Sequence, residues 1–198
     1  MALAPSSGIE AARRFMFEPR LPLWRYVLLA VPLAMLPSLL LAWLAWTLTA
    51  AAGIDTAAHA PPALEPGLST LLGVTLLAPV VETLLLGGMI GLLSRVIRSA
   101  VAVAVTCALL WGVLHGLAGA LWFAGTVWSF FVFSAAWIAW RPRSRWHAFA
   151  ASASTHALLN LLVMAMALAG STLDPTAPVD AAGRSPDAAA PTAAVPIV

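Results

Sequence analysis

Long apolar runs alternate along the chain with short stretches that carry the arginines. Five runs stand out: Trp24–Ala51, Leu68–Leu93, Ala100–Leu117, Ala120–Trp140 and Ala148–Ala169. A helix that crosses a bilayer needs about 20 mostly apolar residues, and all five meet or approach that length. The pattern predicts an all-α, polytopic membrane helix bundle of about five transmembrane helices. The third and fourth runs are joined only by a short turn around Gly116–Gly119, so they form either a hairpin of two spans or a less regular element. No internal repeat is visible.

The ends differ from the centre. Arg13 and Arg14 precede Phe15–Phe17, but Glu18, Arg20 and Pro22 interrupt before the first long run, so Met1–Leu23 does not read as a cleaved signal. It reads as a cytoplasmic leader that lies on the membrane surface. From Gly170 to Val198 the chain turns to Pro, Ala, Asp, Ser and Thr, which predicts a disordered tail.

Charge orients the bundle. All ten basic residues are arginine. Arg13, Arg14, Arg20 and Arg25 flank the first run, Arg95 and Arg98 follow the second, and Arg141, Arg143 and Arg145 follow the fourth. The alternate loops hold no arginine. Cytoplasmic loops are enriched in basic residues, so five spans with the N-terminus inside place all three clusters in the cytoplasm. Composition agrees: 62% of residues are hydrophobic and only 9% charged, which excludes an ordinary soluble domain. With a formal charge of only +2, the clusters read as topology signals and lipid-headgroup contacts, not as a nucleic-acid surface. Cys107 is alone, so the chain can form neither an internal disulfide nor a cysteine metal site.

Of the eight acidic residues, only Glu82 lies inside an apolar run. An ionisable group at membrane depth costs several kcal/mol unless paired, hydrated or neutralised. A protonated Glu bonded to a neighbouring backbone is the bland alternative. His115 and His156 are also intramembrane, and Asn160 shares a helix face with His156 four residues away. Counting about 1.5 Å per helical residue from the arginines, Glu82 lies roughly 20 Å above Arg95 and His115 roughly 25 Å above Arg98. His156 and Asn160 lie roughly 17 and 23 Å above Arg145. The four fall in one layer, as a shared polar cavity requires. Pro79, one turn before Glu82, cannot donate to the carbonyl of Thr75 and loosens the helix there. Gly87, Gly88, Gly112 and Gly116 permit close helix approach beside the site or are ordinary small-residue packing. His59, His147 and most of the nine Trp suit loop and interfacial positions.

Three short motifs extend this reading. The chain has Pro79-Val80-Val81-Glu82-Thr83 with Gly87, then Trp111-Gly112-Val113-Leu114-His115, then His156-Ala157-Leu158-Leu159-Asn160. Over roughly Leu68–Met164 this resembles the CPBP intramembrane proteases, the group of CAAX-prenyl endopeptidases and bacteriocin-processing or immunity membrane proteins. Their motifs run Glu-Glu-x-x-x-Arg, Phe-x-x-x-His and His-x-x-x-Asn/Asp on separate helices. Aligning Glu82 with the first Glu puts Thr83 in place of the second, Gly87 in place of Arg and Trp111 in place of Phe. Losing the acid and base together leaves no unpaired buried charge.

The resemblance implies an endopeptidase of a bacterial inner membrane acting on a membrane protein or peptide. Glu82, helped by His115, would activate water, while His156 and Asn160 would stabilise the oxyanion. It implies either a metal-free glutamate mechanism with no cofactor or a divalent metal such as zinc on Glu82, His115 and His156. The absence of a His-Glu-x-x-His motif favours the first. Two other readings stand beside it: an inactive family member that binds a peptide or confers immunity, and a small transporter or proton-relay subunit.

Overall fold

The computed structural model describes residues 8–18, 20–62 and 67–172. Among these the regular structure is helical throughout, with no strand. The order is α1 (Gly8–Phe17), α2 (Leu23–Ala51), a 3₁₀ turn (Ala57–His59), α3 (Leu68–Leu72), a π segment (Gly73–Leu77), α4 (Ala78–Leu93), α5 (Ala100–Gly116), α6 (Ala120–Trp140) and α7 (Arg145–Thr172). The helices α3 and α4, with the π segment between them, form one apolar rod over Leu68–Leu93.

Four helices are long and apolar enough to cross a membrane: Leu23–Ala51, Leu68–Leu93, Ala120–Trp140 and Arg145–Ala169. The predicted third span is the short one. α5 has 17 residues, about 26 Å of helix, against a hydrocarbon core of about 30 Å. With α6 it forms the tight hairpin that the Gly116–Gly119 turn allows. The predicted tail begins at Gly170, whereas α7 runs on to Thr172, less than one turn past the apolar run. The remainder of that tail, 173–198, and the first seven residues of the leader lie outside the described residues.

Local signals set the boundaries. Pro142 ends α6 by lacking the N–H that the next turn needs. Two residues later Ser144 starts α7, its Oγ accepting from the backbone N–H of His147 at 3.0 Å. Ser99 caps α5 likewise, accepting from Ala102 at 3.3 Å. Past the end of α2, Gly53 takes φ +70°, a left-handed turn suited to glycine.

The chain divides into two compact units, with the boundary after Leu162 inside α7. In the first, α6 is the axis. It is apolar all round, and nearly every residue from Ser129 to Trp140 is buried. Ser129, Ser134, Ala135, Ala136 and Ala139 keep its surface low, so neighbouring helices approach closely. Tyr26, Ile90, Val103, Trp111 and Leu159 bring α2, α4, α5 and α7 into the same core. The outward surfaces are lined instead by exposed leucines and tryptophans such as Trp24, Leu36, Trp43, Leu76, Leu84 and Val113. Apolar surface on this scale belongs against lipid.

Aromatic contacts draw the arginine-bearing ends together. Tyr26 meets the ring of Trp140 at 5.6 Å, and Trp140 stacks on His147 at 6.1 Å. Arg143 lies 4.7 Å over Trp140. The start of α2, the end of α6 and the start of α7 therefore share one end of the bundle, where α1 also packs through Phe15 on Tyr26 at 5.2 Å. In α1, Glu10 bonds both Arg13 and Arg14. These two guanidiniums hold its carboxyl down to about 2 from an ordinary 4.5.

Candidate functional site

The site begins with a backbone irregularity. In the π segment the N–H of Ala78 bonds the carbonyl of Gly73, five residues back. The next bond in that register would run from residue 79 to the carbonyl of Val74, but residue 79 is proline and has no N–H. The side chain of Asn160, on α7, supplies the donor: its Nδ2 reaches the Val74 oxygen at 2.9 Å. The proline does free a carbonyl, but one that lies about two turns before Glu82. The π register moves the vacancy from Thr75, expected for a regular α-helix, to Val74.

Pro79 itself is fully buried and aims α4 into the bundle. One turn on, Glu82 projects toward α7. Its Oε2 stands 4.0 Å from Nε2 of His156, with the two side chains 22% and 6% exposed. That separation is too long for a direct hydrogen bond. The same Oε2 is buried and has no hydrogen-bond partner. The depth estimates of roughly 20 and 17 Å anticipated this meeting, and the structure supplies the shared azimuth.

The imidazoles are held by aromatic rings. His156 stacks on Phe133 at 4.4 Å and meets Phe130 edge-on at 5.5 Å. His115 packs against the same Phe130 at 5.1 Å and against Trp122 at 4.8 Å. Its Nδ1 is 2.8 Å from the carbonyl oxygen of Trp111, so it donates there and leaves Nε2 as the basic nitrogen. Phe130 of α6 thus touches both of the histidines that the sequence placed in one layer. Glu82 is brought to His156, and His115 packs against Phe130 and Trp122. Sequence reasoning picked out neither Phe130 nor Phe133, because phenylalanines in an apolar span carry no signal of their own.

The described residues do not fit a zinc site: no three His, Cys, Asp or Glu side chains among them gather closely enough to hold a metal ion. Glu82 and His156 form a pair, and His115 does not complete a triad of ligands.

Positions 83 and 87, next to Glu82 on α4, have different surroundings. A Cβ on Gly87 would fall within the indole of Trp137, so that ring occupies the room a side chain at position 87 would need. Thr83 is buried with its hydroxyl unpartnered. Of the other glycines, Gly112 and Gly116 face Phe123 closely, while Gly88 has open space beside it and makes no packing contact.

Neither models of known protein families, nor curated proteins, nor solved structures give a match to this chain.

Proposed function

We propose that this membrane protein is an intramembrane endopeptidase that hydrolyses a peptide bond of a membrane-associated protein or peptide. The observation that carries the reading is the buried, unpartnered Oε2 of Glu82 facing Nε2 of His156 across 4.0 Å. The two groups are too far apart for a direct hydrogen bond, and a modest opening between α4 and α7 on substrate binding admits a water to bridge them. Glu82 takes a proton from that water as it attacks the substrate carbonyl, and returns the proton to the leaving amine. His156 orients the water. One Asn160 amide hydrogen is committed to Val74, and the second remains to donate to the oxyanion. His115, with Nε2 basic, packs on Phe130, the ring that His156 also meets. The mechanism needs no cofactor.

The arginine-bearing end faces the cytoplasm in this reading, and the membrane is a bacterial inner membrane. The order of the three motifs, with Glu82 on α4, His115 on α5 and both His156 and Asn160 on α7, supports a divergent CPBP-type enzyme.

The test is reconstitution of the purified protein in liposomes with a panel of membrane peptides. Wild type cleaves at least one, and Glu82→Gln lowers the rate about a hundredfold or more. Equal cleavage by both, or cleavage by neither, defeats the reading. A second reading is favoured by one observation: Trp137 fills the space at Gly87 that the family's arginine would need. In that case the protein is an inactive member that binds a peptide, and wild type and Glu82→Gln retain the same peptide without product.

A further inference from the structure

Three prolines lie inside the spans, and at two of them, Pro37 and Pro79, a side chain from another helix closes the freed carbonyl. Pro37 in α2 cannot donate to Leu33, and the carbonyl of Leu33 accepts from the indole N–H of Trp128 on α6 at 2.8 Å. Pro79 cannot donate to Val74, and that carbonyl accepts from Asn160 on α7 at 2.9 Å. Within a bilayer no water is at hand to satisfy a freed carbonyl, so such donors substitute for the lost backbone bond.

The second case sits next to chemistry. Asn160 lies one turn beyond His156 on α7, and Val74 lies in the irregular segment directly before the turn that bears Glu82. One hydrogen bond therefore ties the helix carrying His156 to the segment that aims Glu82. We propose that Asn160 is a positioning residue: its amide replaces the N–H that Pro79 lacks, and by anchoring the π segment to α7 it sets the approach of Glu82 to His156. The assignment does not depend on the protein being a protease. It also gives Pro79 and Asn160 a joint meaning, since the carbonyl that Pro79 frees is the one that Asn160 fills.

The dependence is testable without a substrate. Pro79→Ala restores a backbone N–H in register with Val74 and should make the Asn160 amide dispensable. The readout is modification of Glu82 by a hydrophobic carbodiimide in the purified full-length protein in nanodiscs, followed by mass spectrometry, with Glu82→Gln as the blank. Asn160→Ala is expected to speed labelling at least about threefold, the loosening that loss of one interhelical hydrogen bond allows. In the Pro79→Ala background the same substitution changes the rate by less than about twofold. An unchanged rate in the single variant, or the same acceleration in both backgrounds, overturns the proposal. If Asn160→Ala alone does not fold, the double variant must; a double variant that also fails to fold overturns it equally.

Discussion

In α2, Pro37 frees the carbonyl of Leu33 and Trp128 closes it; in the π segment, Pro79 frees Val74 and Asn160 closes it. The difference lies in what surrounds each joint. Trp128 has one N–H and spends it, and its ring packs on Phe131 at 5.3 Å among apolar neighbours. Asn160 has two amide hydrogens, spends one, and stands a turn from His156 and an unpartnered carboxylate oxygen. At Pro37 and at Pro79 the freed carbonyl marks a place where two helices are joined. A site needs in addition an ionisable group left without a partner, and only the α4–α7 joint has one.

The sharpest way to break this comparison is at Glu82 and Trp128. Glu82→Gln should lower peptide cleavage about a hundredfold or more, whereas Trp128→Phe should leave cleavage per folded molecule within about twofold. A large activity loss from Trp128→Phe would show that the α2–α6 joint also reaches the chemistry.

The next effect is on stability. Gly87→Ala drives a methyl into Trp137 on the site side and should cost about 1–3 kcal/mol in detergent unfolding. Gly125→Ala, on the α2 side, meets Ala42 at an ordinary 3.6 Å, and with the helix propensity gained should leave stability unchanged or raise it. Similar costs at both glycines would erase the asymmetry in packing.

A smaller effect separates the hydrogen bonds themselves. Trp128→Phe should destabilise by about 0.5–1.5 kcal/mol, and by less when Pro37→Ala restores the backbone donor to Leu33. An undiminished cost in the double variant would show that the indole acts by packing rather than by its N–H.

The smallest effect lies outside both joints. The carboxyl of Glu10, held at about 2, has its titration depressed on folding, so its ion pairs with Arg13 and Arg14 persist above about 4.5 and are lost as pH falls through about 2. These pairs are fully exposed, so Glu10→Gln should leave the unfolding midpoint unchanged at neutral pH.

Much of this architecture can be read along one axis of the sequence. The apolar runs, Pro142 and the arginine clusters mark where helices begin and end, and counting residues from Arg95 and Arg145 puts Glu82 and His156 at a common depth. What the sequence does not carry is rotation. Helices that are apolar all round, as α4, α5 and α6 are, give no amphipathic stripe to show which face turns inward. Hence the pairing of Glu82 with His156, the insertion of Trp137 at Gly87 and the service of Asn160 to Val74 emerge only from packing. The π register shows the same limit: Pro79 announces a freed carbonyl, but one extra residue in the turn decides whose it is.

The shortness of α5 has a consequence for the lipid around it. A helix of 17 residues falls about 4 Å short of the hydrocarbon it must cross, and His115 is its next-to-last residue. Hydrophobic mismatch of this kind is relieved by local thinning of the bilayer, which draws headgroups and water inward at the end of α5 away from the arginines. His115 at that end shares Phe130 with His156, so such thinning would reach the aromatic surroundings of the pair. Membrane thickness thereby becomes a variable of the site: longer acyl chains deepen the mismatch, and shorter ones remove it.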